Sequence, residues 1–337
     1  MNKKSDVRKF IVNKILLSKL FTLILLLAIV LIVFTTLTTT LNKGNYFSVR
    51  NIINILNGMA VVAFLTVGAG MLLVSGYLDL STGAIGTLSG ILMAMMLQAG
   101  VVWPIAVILA LIAAGCIGFL NALMINRFRL QAFITTMAVA SIVSGFVYII
   151  TGGKSIPIRD KAISFVGTQL IGGVLPVSVL LAITVFIIYG VILSKTNFGM
   201  KVYLVGGNPQ AARLAGLNPR RISFILFINN AVLGGISGML FCARMKTGSV
   251  GGVGLNSNQF AGLTAAILGG ISFGGGEGGL LGAFVGLMIL NSFSNGMSVI
   301  GLSNYLQTVA SGVLLLVALT FDFILQKSRM RRKAQDL

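Results

Sequence analysis

The sequence predicts an all-α bundle of about ten membrane-spanning helices, each needing about 20 apolar residues to cross the hydrocarbon. Three observations point there. Of the 337 residues, 56% are hydrophobic and only 9% are charged, whereas a soluble domain carries about 25% charge. The apolar runs are long and show no strict alternation, so they read as helices rather than barrel strands. The formal net charge of +19 comes from 25 Lys and Arg against six Asp and Glu, and the basic residues collect at the chain ends and in the short connections between runs. That distribution sets orientation in a bilayer, and it argues against nucleic acid as a partner.

In chain order, the runs fall at 17–41, 51–75, 82–98, 102–125, 131–152, 174–194, 222–243, 259–273, 279–299 and 304–325. The third and eighth are short, as a tilted, broken or bundle-buried helix would be. No small-residue cleavage site follows the basic start MNKKSDVRKF convincingly, so the first run is expected to be retained. The chain reads as one membrane domain, 17–325, between cytoplasmic tails at 1–16 and 326–337. With ten spans, both termini share one side. That side holds eighteen of the basic residues, in the two tails, at Lys19, Arg127 and Arg129, and in the loop 195–221. The other side holds seven: Lys43, Arg50, Lys154, Arg159, Lys161, Arg244 and Lys246. The richer side is expected to be cytoplasmic. Gly234 with Gly238, and Gly282 with Gly286, have the spacing that lets helices approach closely in lipid.

Within the cytoplasmic loop, Asn208 suits an N-cap, Pro209 the first helical position and Gly216 a left-handed C-terminal position. Gln210, Ala211, Ala212, Arg213, Leu214 and Ala215 lie between them. The stretch is a short helix of fixed shape, and a candidate docking surface that offers small alanines beside Arg213. In 75–90, Asp79 is an acid near membrane depth, a candidate functional residue. Asp79, Ser81 and Thr82 could all instead cap the third span. The glycine-rich 268–286, whose only charge is Glu277, suggests a broken helix or close backbone packing.

Several chemistries are absent. There is no histidine, and Cys116 and Cys242 have no metal-ligand spacing. The phosphate-binding loop needs a glycine five residues before its Gly-Lys-Ser, and the only such run, Gly153-Lys154-Ser155, has Tyr148 there. The chain therefore has no recognisable nucleotide site and is expected to bind no cofactor. Amides in or beside the apolar runs, Asn57, Asn121, Asn126, Asn229, Asn230, Asn291 and Asn295, either bond helices together or line a wet path. Asn57, Asp79, Ser81, Asn121, Asn230 and Asn291 are the candidate path residues. Neutral amides with few charges suit a polar, uncharged solute.

Several of these stretches resemble one family in the same order along roughly residues 50 to 325. GYLDLSTGAIGTLSG is similar to the glycine-isoleucine-aspartate-leucine-serine signature of the ribose-type sugar permeases of ATP-binding cassette (ABC) importers. VGGNPQAARLAGLNP resembles their cytoplasmic loop. LTAAILGGISFGGGEGGLLGAFVGLMILNSFSNGM resembles their late glycine-rich helices, and QTVASGVLLLVALTFDF their last span. Tyr77 and Leu78 stand where glycine and isoleucine are usual, and Glu277 where a basic residue often stands. The resemblance implies a vitamin-B12-permease-like fold in a bacterial inner membrane. It further implies a dimer with a second permease copy or homologue and a sugar delivered by an extracellular or periplasmic binding protein. A cytoplasmic ATPase that holds ATP and Mg would dock on the loop matching Asn208 to Gly216. Related importers carry branched-chain amino acids or nucleosides, and the Leu-Asp-Leu-Ser stretch favours the sugar branch. An ion-coupled transporter would need charges within the spans, and a membrane enzyme would need histidine or clustered acids.

Overall fold

The computed structural model describes residues 19–173, 175–250 and 255–335, so the expected 1–16 tail, the first two residues of the first run and the last two residues of the chain lie outside it. Thirteen helices are described. They are α1 (Lys19–Thr40), α2 (Val49–Val74), α3 (Thr82–Gln98), α4 (Trp103–Arg127), α5 (Ala132–Thr151), α6 (Lys161–Thr168) and α7 (Val177–Lys195). The remainder are α8 (Asn197–Gly207), α9 (Pro209–Leu214), α10 (Pro219–Met245), α11 (Leu255–Leu268), α12 (Leu280–Val299) and α13 (Asn304–Gln335). Two antiparallel pairs of two-residue strands, β1 (Ile156–Pro157) with β4 (Thr247–Gly248) and β2 (Leu170–Ile171) with β3 (Leu175–Pro176), lie in the loops.

Seven helices, α1, α2, α4, α5, α7, α10 and α12, are long and apolar enough to cross a membrane. Helix α3 and the Tyr305–Val317 part of α13 are shorter apolar helices. The eighth expected run, 259–273, needs correction: α11 starts earlier and ends at Leu268. The Gly270 N–H returns to the Ile267 carbonyl (2.8 Å) and the Ile271 N–H to the Ala266 carbonyl (3.1 Å), which closes the helix and turns the chain away.

The bundle is built around α10, which packs against α2, α3 and α4 and has the most buried span. Close approach rather than large side chains makes the central crossing. A Cβ on Gly238 would overlap the Gly86 carbonyl of α3, and one on Gly234 would meet Thr82. Gly282 and Gly286 do the same for α12, whose backbone lies against Gly269 and Ala265 at the end of α11. Outer helices such as α4 and α5 expose rows of Ile, Phe and Leu, including Ile108, Ile112, Phe133, Ile142 and Ile149. In a membrane chain those rows face lipid rather than water.

Candidate functional site

Helix α2 ends in a Schellman turn. Gly76 takes φ +80°, and the Tyr77 N–H returns to the Leu72 carbonyl at 3.0 Å. The chain then runs through 78–81 into α3, and this short connection is tied down from four helices. Asp79 Oδ1 accepts from the Ser81 N–H (2.7 Å) and from the Ser81 hydroxyl (2.6 Å). The Asn121 amide of α4 donates to Ser81 Oγ at 2.8 Å. From α10, Asn230 Nδ2 donates to Asp79 Oδ2 (3.0 Å) and to Thr82 Oγ1 (2.6 Å). Thr136 of α5 accepts from the Leu80 N–H at 3.0 Å. Gln259 of α11 grips the backbone twice: its Oε1 accepts from the Gly83 N–H (2.7 Å) and its Nε2 donates to the Leu80 carbonyl (2.9 Å).

The capping expectation for this segment is corrected by these contacts. Ser81 occupies the N-cap position but makes no side-chain cap bond. Its hydroxyl is committed to Asp79 and Asn121, Thr82 is committed to Asn230, and of the backbone amides at the start of α3 Asp79 meets only that of Ser81. The orphan Gly83 amide is met instead by Gln259, from a helix about 175 positions further along. Asp79 is 7% exposed and has no basic partner among the described residues, so its carboxyl is met by the fixed donors of Ser81 and Asn230. A cavity of about 10 Å³, room for one water, opens between Asp79, Thr82, Gln259 and the aliphatic side chains of α2 and α11. The Oδ1 atoms of Asn121 and Asn230 are buried without a hydrogen-bond partner.

Four of the six candidate path residues, Asp79, Ser81, Asn121 and Asn230, thus meet in one knot. The other two do not join it. Asn57 lies about 25 Å along α2 from its C-terminal end, at 1.5 Å per residue. There its carbonyl accepts from Arg244 (2.7 Å) and its side chain from Ser178 (3.4 Å). Asn291 donates to the Leu287 carbonyl of its own helix and rests its Oδ1 against Gly58. Asn126 bonds Ser223, and Asn229 accepts from Tyr189, so both tie helices together. Thr136 and Gln259 were not singled out from the sequence. The readable signal was an amide at the edge of an apolar run, the criterion that picked the asparagines, but Gln259 follows Asn256, Ser257 and Asn258 and reads as the end of a polar loop.

The cytoplasmic-loop candidate has the expected punctuation. Asn208 Oδ1 accepts from the Gln210 and Ala211 N–H groups (3.0 Å each), Pro209 opens α9, and Gly216 takes φ +79°. The Leu217 N–H returns to the Ala212 carbonyl at 3.0 Å, a second Schellman closure. One assignment needs correction. Ala212 is only 4% exposed and packs in the main core, so it anchors α9 to the bundle and does not offer a free small surface. Leu214 is the projecting residue, 91% exposed. Ala211, Arg213 and Ala215 are exposed beside it.

Residues 51–319 match the family model described as branched-chain amino acid transport system / permease component. The chain is 30% identical over 277 residues to the ribose import permease protein of Bacillus subtilis (strain 168), covering 81% of this chain and 84% of that protein. It is 33% identical over 275 residues to the L-arabinose transport system permease protein of Escherichia coli (strain K12), covering 81% and 83%. It is 29% identical over 298 residues to a probable ABC transporter permease protein of Escherichia coli (strain K12), covering 88% and 89%. A multi-pass helical chain matched along most of its length in this way belongs to the branched-chain amino acid transport system / permease component family, among the ribose-type permeases of ABC importers.

Proposed function

We propose that this chain forms the translocation path for a monosaccharide of the ribose, galactose or xylose type, and that a separate cytoplasmic ATPase, which holds ATP and Mg, drives it through α9. One observation carries the coupling half of the reading: α9 is anchored by buried Ala212 while Leu214 projects 91% exposed. A capped, anchored helix with a bare leucine transmits a push, whereas a mobile linker absorbs it. The cargo half rests on relatives that are ribose and L-arabinose permeases, and on a bundle whose buried polar side chains, Asp79 apart, are amides and hydroxyls among the described residues. In this reading α3, α11 and α13 complete ten spans in a vitamin-B12-permease-like fold. Both termini and 195–221 face the cytoplasm, and 153–173 faces outward. The domain lies in the inner membrane, works as a dimer with a second copy or homologue, and receives its sugar from a binding protein outside.

The test is co-purification of the ATPase with wild-type and Leu214→Asp permease. Sugar-stimulated ATP hydrolysis is then measured in liposomes supplied with the binding protein. Leu214→Asp should keep a normal elution profile and lose both docking and stimulation. Normal docking and stimulation would remove α9 from the coupling role. A panel of pentoses, hexoses, branched-chain amino acids and nucleosides identifies the cargo, and stimulation by an amino acid or a nucleoside instead of a sugar would overturn the sugar assignment.

A further inference from the structure

A second feature lies on the same side of the bundle as α9. A cavity of about 930 Å³ opens between the α2–α3 connection, the α4–α5 connection, α9 and the start of α10. Its lining includes three guanidinium groups, Arg129, Arg213 and Arg220, together with Tyr77, Gln131 and Phe133. None of the three arginines has a carboxylate partner among the described residues. Three unpaired cations around one concavity create a positive field that a bound anion would relieve. Arg129 takes φ +57° as the left-handed residue that ends α4, which places it at the mouth of this concavity.

We propose that this cavity binds the headgroup of an anionic phospholipid from the adjoining leaflet. Three arguments favour that occupant. The guanidinium fork matches phosphate oxygens in a bidentate way, which ammonium groups cannot do. The rim is continuous with the lipid-facing surface, because Phe128, Leu130 and Phe133 around the α4–α5 connection are all exposed apolar side chains. Basic pockets between spans on the positive side of a membrane protein take up anionic headgroups. The volume is also far larger than a single partner carboxylate needs, and it falls in the range of small-molecule sites. The proposal rests on the orientation given above only for the choice of leaflet.

The experiment extracts full-length permease from liposomes of mixed phosphatidylglycerol and phosphatidylcholine and counts retained lipid by native mass spectrometry. Wild type should retain phosphatidylglycerol in preference to phosphatidylcholine. The Arg129→Gln/Arg220→Gln double variant leaves Arg213 intact and should lose about thirtyfold in retention, at about fivefold for each basic residue near an anionic surface. Arg221→Gln, an exposed arginine outside the lining, should behave as wild type. Arg129→Lys keeps the charge without the fork and should fall between, which covers the case of a double variant that does not fold. ATPase co-purification is measured on the same variants. Its failure with normal lipid retention in wild type would strike the coupling reading alone. Equal retention in wild type and the double variant, no preference for phosphatidylglycerol, or displacement of the lipid by an equal concentration of inorganic phosphate would each overturn the proposal. Loss of docking in the double variant with unchanged lipid would assign the cavity to an acidic face of the ATPase.

Discussion

Replacing Gln259 with Met keeps its length and apolar stem and removes both ends of its grip on the α3 start. The Gly83 N–H and the Leu80 carbonyl now bond it at 2.7 and 2.9 Å, at a residue 8% exposed. Water would have to enter a cavity of about 10 Å³ to serve both groups, and that space holds one molecule at most. Each buried group left unmet costs about 1–3 kcal/mol, so the variant should lose about 2–6 kcal/mol. At about 2 °C per kcal/mol for a large chain, the unfolding midpoint should fall by about 4–12 °C. Cys242 is 2% exposed and reports unfolding directly, through its reaction with a thiol-reactive dye in detergent on a Cys116→Ser background. A midpoint within a degree of the parent would refute the claim that a side chain from α11 closes the N-terminus of α3. Gln259→Glu keeps the acceptor for Gly83 but not the donor for Leu80, and sets a second acid beside Asp79, so it should not rescue.

Asp79→Asn should retain assembly and much of transport, because Asn230 can turn its amide and present its unpartnered Oδ1 to the new donor; Asp79→Leu should lower the yield of folded protein, and loss of transport with normal assembly in the Asn variant would instead demand a role for the charge. Ala212→Trp should lower the yield of folded permease itself, measured by size-exclusion profile, since its site is inside the core rather than at a free surface. Gly206→Ala should be poorly tolerated, because the added Cβ would overlap the Val74 carbonyl; an unchanged unfolding midpoint would show that α8 can withdraw at little cost. Ser155→Cys, exposed in the 153–173 loop, should label from outside intact cells, and labelling only after permeabilisation would reverse the proposed orientation.

The long helices were legible because hydropathy and length act locally. The run at 82–98 coincides with α3, and most other boundaries fall within three residues of the observed helices. The end of α11 was misplaced because the apolar residues Ile271 and Phe273 continue past Gly269 and Gly270, and hydropathy alone does not see a Schellman turn. The small amphipathic α6 and the strand pair joining 156–157 to 247–248 depend on neighbours distant in sequence, so no local pattern announced them. At the site, Asp79, Ser81, Asn121 and Asn230 stood out as polar residues in apolar surroundings. Their convergence was not readable, because it follows from the glycine crossing of α3 and α10. The burial of Ala212 was equally hidden: an alanine has the same letter on either face of a six-residue helix.

The knot and α9 are joined by backbone. The Gly276 N–H, in the glycine-rich turn between α11 and α12, donates to the Val74 carbonyl at 2.8 Å. Gly206 of α8 lies against that same carbonyl, with no room for a Cβ between them. The hydroxyl of Tyr203, also on α8, donates to the Gly278 carbonyl at 2.6 Å and holds the turn from its other end. Val74 is the last residue of α2, and only five residues separate it from Leu80, where the Thr136 and Gln259 bonds begin. Helix α8 runs into α9 with Asn208 alone between them. If α9 has the coupling role proposed above, a displacement of Leu214 would reach the start of α3 through this short, hydrogen-bonded backbone. Packed interiors pass on such shifts because they hold few voids to absorb them. Larger residues at 206 and 276 would force these segments apart, because a Cβ at Gly206 would overlap the Val74 carbonyl and one at Gly276 would meet the backbone of Gly207.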